Sequence, residues 1–81
     1  MTFTDDVQRY ADAIMAMIKE DQDTGQVPRN VCSWDELDES VDAADYYRHA
    51  RMPAGTRNVA KLRSAVNDEV GRRLAKAVSG R

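Results

Sequence analysis

Residues 33–51 read SWDELDESVDAADYYRHAR, and this stretch decides what kind of fold the chain can adopt. Ser33 followed by Glu36 is a capping box, in which the serine oxygen takes a free amide and the glutamate reaches back toward the cap. Cys32 before the cap and Leu37 four positions inside the helix have the spacing of a hydrophobic staple. Trp34, Leu37, Val41, Ala44 and Met52 then fall on one side, with Tyr47 and the stem of Arg48 at its edges. The pattern predicts a helix over 34–51 that stops before Pro53.

Working outward, the segment before it carries Val7, Tyr10, Ala11, Ile14, Met17 and Ile18 at three- and four-residue steps. That spacing makes one apolar stripe and predicts a helix over 5–22. Asp5 and Asp6 suit its first turn, and Gly25 suits its C-terminal stop. Between the two helices, TGQVPRNVC (24–32) forms the one real loop, whose Val27 and Val31 can tuck back over the core. After Met52-Pro53-Ala54-Gly55, a turn by composition, Thr56 can cap a third helix over 57–78. Its stripe is Val59, Leu62, Val66, Val70, Leu74, Ala77 and Val78, with Gly71 costing about 1 kcal/mol relative to alanine. The short connection makes the second and third helices near-antiparallel neighbours. The expectation is an all-α fold, a small three-helix domain spanning 1–81 with no second domain.

With 81 residues, 42% of them apolar and 32% charged, the chain has the composition of a globular domain and no room for a large enclosed cavity. It contains no apolar run of membrane-spanning length. Its first residues lack the basic start and apolar core of a secretory signal, and a lone cysteine argues against a disulfide framework. A cytoplasmic setting is expected.

The net charge of −2 hides a split. Residues 1–47 hold 12 acids and three bases (−9), and residues 48–81 hold two acids and nine bases (+7). Such asymmetry bears on partners rather than on fold. Asp35, Asp38, Asp42 and Asp45 would line one stripe of the 34–51 helix, with Glu39 beside it, and like charges at these steps repel slightly. Three readings are open for the stripe: a solvated face set beside the basic third helix, a docking surface for a basic partner, or a metal site completed by His49. The metal reading is weakest, because helical carboxylate-histidine centres draw ligands from several helices. His49 suits a surface place near a helix C-terminus. No metal or other cofactor is expected.

The bases gather around the second turn. Arg57 and Lys61 stand where a helix start is already positive, which would suit a bound phosphate or carboxylate. Helix, tight turn, helix is also the outline of a helix-turn-helix reader, with Arg51, Arg57, Asn58 and Lys61 as the nucleic-acid contacts. The acidic second helix and the negative net charge oppose that reading. Catalysis has no support in the pattern. Cys32 has no histidine near it in sequence, Ser33 serves as a cap, and no glycine-rich phosphate loop or nucleophile-base pair is present.

The stretch VPRNVCSWDELDESVDAADYY (27–47) resembles a family of small, mostly uncharacterised helical proteins of actinobacteriophages and prophages, with the pattern V-P-x-x-V-x-S-[WF]-x-x-L-x-x-x-V-D-A-N-x-Y. Val27, Pro28, Val31, Ser33, Trp34, Leu37, Val41, Asp42, Ala43 and Tyr46 match it, and Ala44 stands where asparagine is usual. The resemblance implies a phage origin and expression inside a bacterial host, and implies no activity. The function expected is a non-enzymatic module that binds a host or phage protein through Asp35, Asp38, Asp42, Asp45 and exposed Tyr46 and Tyr47. Nucleic-acid binding is the alternative, and self-association is a further possibility that the small core and Met15 suggest.

Overall fold

The computed structural model describes residues 3–52 and 57–80, apart from the side chains of Arg57 and Asn58. Among the described residues four helices follow in order: α1 (Phe3–Asp23), α2 (Trp34–Ser40), α3 (Ala44–His49) and α4 (Arg57–Ser79). No strand occurs among the described residues. The all-α class stands, with two long helices at the ends of the chain. The Pro53–Gly55 turn and the Thr56 cap lie outside the described residues.

The stripe of α1 is buried as its spacing demands, through Val7, Tyr10, Ala11, Ile14 and Ile18. Its end is a Schellman motif. Gly25 takes φ +84°, a left-handed value that a glycine adopts without strain. The Gly25 amide donates to the Gln22 carbonyl and the Gln26 amide to the Asp21 carbonyl. The chain then folds back, and Val27 and Val31 close over the core.

The helix expected over 34–51 is two helices. Val41 is extended, with φ −141° and ψ 166°. Two carboxylates take the place of backbone acceptors at this break: Asp38 Oδ1 accepts the Ala43 amide at 3.0 Å, and Asp42 Oδ1 accepts the Ala44 amide at 3.2 Å. Short acidic side chains compete with the helix in this way. The extended residue rotates everything that follows. Ala43 is buried in place of Ala44, which is exposed, and Val41 is only partly covered. Tyr46 and Tyr47 also turn inward, 5% and 6% exposed, so the exposure expected of them is overturned.

In α4 the stripe is buried at Val59, Leu62, Val66, Val70 and Leu74, while Ala77 is exposed and Val78 half-buried. Trp34 lies against Gly71, and the Tyr47 hydroxyl donates to the Arg63 carbonyl at 3.4 Å. The α2–α3 segment therefore runs opposite to α4, as the short connection predicts. Arg73 fastens α4 to α1, its Nη1 meeting Asp12 Oδ1 at 2.6 Å and its Nη2 donating to the Gln8 side-chain oxygen, while Glu69 Oε2 within α4 holds its Nε at 2.7 Å.

Candidate functional site

The break at Val41 divides the acidic stripe. Asp35 stands exposed in the first turn of α2, where a negative charge suits the helix macrodipole. Asp38 and Asp42 each commit one oxygen to a backbone amide, and Asp45 pairs with the exposed Arg48 in α3. Tyr46 and Tyr47 lie beneath the surface rather than on it.

The same break brings residues together that no linear pattern joins. Asp42, Asp45, Tyr46 and His49 border a shallow groove of about 230 Å³ with Asp21 near the end of α1 and Gln26 of the loop that follows. A neighbouring depression of about 340 Å³ adds Glu20 and Met17. Asp35 faces elsewhere. With Ser33, Trp34, Asn67, Asp68 and Gly71 it borders a hollow of about 400 Å³ between the start of α2 and the middle of α4. Glu20, Asp21, Asn67 and Asp68 did not enter the sequence reading of the site.

Among the described residues no group of three or more His, Cys, Asp or Glu side chains is placed to hold a metal ion. The Tyr46 phenol donates to Asp21 Oδ2 at 2.6 Å. Burial pushes its pKa above the ordinary phenol value, and the Asp21 carboxylate adds to the rise. Burial pushes Tyr47 up to about 12, against the pull of the Arg63 guanidinium, whose carbon lies 4.8 Å from the ring centroid. The Cys32 thiol faces both Glu36 oxygens at 3.4 Å, and that contact raises its pKa. A thiol held protonated beside a carboxylate is a poor nucleophile. The capping box closes as read, except that Glu36 accepts the Cys32 amide at 2.9 Å while Ser33 takes the Glu36 amide.

The basic residues are less unified. Arg72 and Arg73 both pair with Glu69, whose carboxyl their hydrogen bonds hold below its usual range. Lys61 is exposed, its ammonium 5.8 Å from the centroid of the Phe3 ring, itself 46% exposed. Arg51 is exposed with φ +60°. The Arg57 and Asn58 side chains, the other two nucleic-acid contacts expected, lie outside the described ones.

Asp12–Arg73 joins the acidic part of the chain to the basic helix. By contrast Asp35, Asp38, Glu39 and Asp42 form no ion pair among the described residues. Among the described residues, no helix is long and apolar enough to cross a membrane. No protein-family model, curated protein or solved structure matches this chain.

Proposed function

We propose that this chain is a non-enzymatic interaction module that binds a protein partner through the acidic surface of α2 and the α2–α3 break. The observation that carries the reading is that Asp35, Asp38, Glu39 and Asp42 form no ion pair among the described residues, in a chain whose last 34 residues hold nine bases. An acidic surface left open in this way attracts and orients a basic partner more than it stabilises the fold. Tyr46 and Tyr47 enter the reading as supports beneath that surface. The resemblance of 27–47 to phage-encoded proteins supports a partner in the cytoplasm of a bacterial host.

The structure dictates how to test it. Asp38 and Asp42 hold the break, so their charge must be removed while the accepting oxygen is kept. The variant Asp38→Asn, Glu39→Lys, Asp42→Asn does this. Affinity capture from host lysate with the original chain and this variant, at matched salt, gives the comparison. The partner recovered by the original chain is expected to be lost with the variant. Equal recovery by both overturns the proposal.

Nucleic-acid binding keeps one observation in its favour, the exposure of Arg51 and Lys61 with no ion pair on either among the described residues. It requires an affinity that falls steeply with salt. No binding to duplex DNA or single-stranded RNA at low salt removes it.

A further inference from the structure

We draw no further inference here: the strongest candidate, the shallow groove that Asp42, Asp45 and His49 of the α2–α3 segment border with Asp21 near the end of α1, is a cluster of acidic side chains at which no second observation points to a ligand.

Discussion

Where α1 meets α4, Ala11, Ile14, Ile18, Val66 and Val70 are completely buried, on helices of 21 and 23 residues. Between Ser33 and Met52, helices of seven and six residues bury only Leu37 and the tyrosine pair, and take their ends from Ser33, Asp38 and Asp42. Helices that short are marginal in water by themselves. The long pair holds itself by area, and the short segment holds itself by capping and by leaning on the long pair. The carboxylates without an ion pair among the described residues lie mainly on the short segment, where polar side chains set the geometry.

The largest effect expected is in the long pair. Ile14→Ala should lower stability by about 3 kcal/mol, read from urea unfolding, because a buried isoleucine leaves a cavity between two helices that cannot collapse. Leu37→Ala removes an equally buried side chain and should cost less, about 2 kcal/mol, because a seven-residue helix can settle into the gap. Equal losses would break the comparison.

Next in size is an alkaline effect confined to the short segment. Tyr47 is neutral in the folded chain, and burial raises its pKa to about 12, from about 10 for an ordinary phenol. Its stabilising contribution is therefore complete below about pH 10 and is lost as pH rises from there through about 12. Tyr46 is raised too and adds in the same direction. Melting temperatures measured from pH 9 to 12 should fall across the upper part of that range, and Tyr47→Phe should flatten the fall. An unchanged slope in Tyr47→Phe would place the alkaline loss elsewhere.

Much of this division is legible in the sequence, and the exceptions share one cause. The stripes of α1 and α4 follow a 3.6-residue period without interruption, so Ile14, Ile18, Val66 and Val70 are found by spacing alone. In the middle segment the same period runs on through Trp34, Leu37, Val41 and Ala44, and predicts a continuous helix. The competing signal is local: Asp42 with Asp45 three residues later is itself a helix-start pattern, placed after the poor helix formers Ser40 and Val41. Periodicity outweighs it, so the pattern places Ala44 inside and Tyr46 and Tyr47 outside, the reverse of where the break at Val41 puts them. The acids were found and their grouping was not, because Asp21 and Asp68 join the site only through tertiary contact.

The smallest effect sharpens the comparison at its edge. Ser33→Ala should cost about 1 kcal/mol, the usual loss on removing an N-cap, and should lower the helical content of the short segment while α1 and α4 keep theirs. Circular dichroism with a single carbonyl label on Leu37 would separate the two by infrared shift. A label that stays helical in Ser33→Ala would show that packing against α4, rather than the cap, holds α2.

Asp21 links regions that the chain order keeps apart. Its carbonyl accepts the amides of Gln26 and Val27 and the Thr24 hydroxyl, while its carboxylate accepts the Tyr46 phenol. One residue thus sets the path of the loop and the seat of α3. In native-state hydrogen exchange, the Gln26 and Val27 amides should open together with α3 as one cooperative unit, ahead of the α1–α4 pair. Breathing of the loop and unseating of α3 would then be a single event with a single rate.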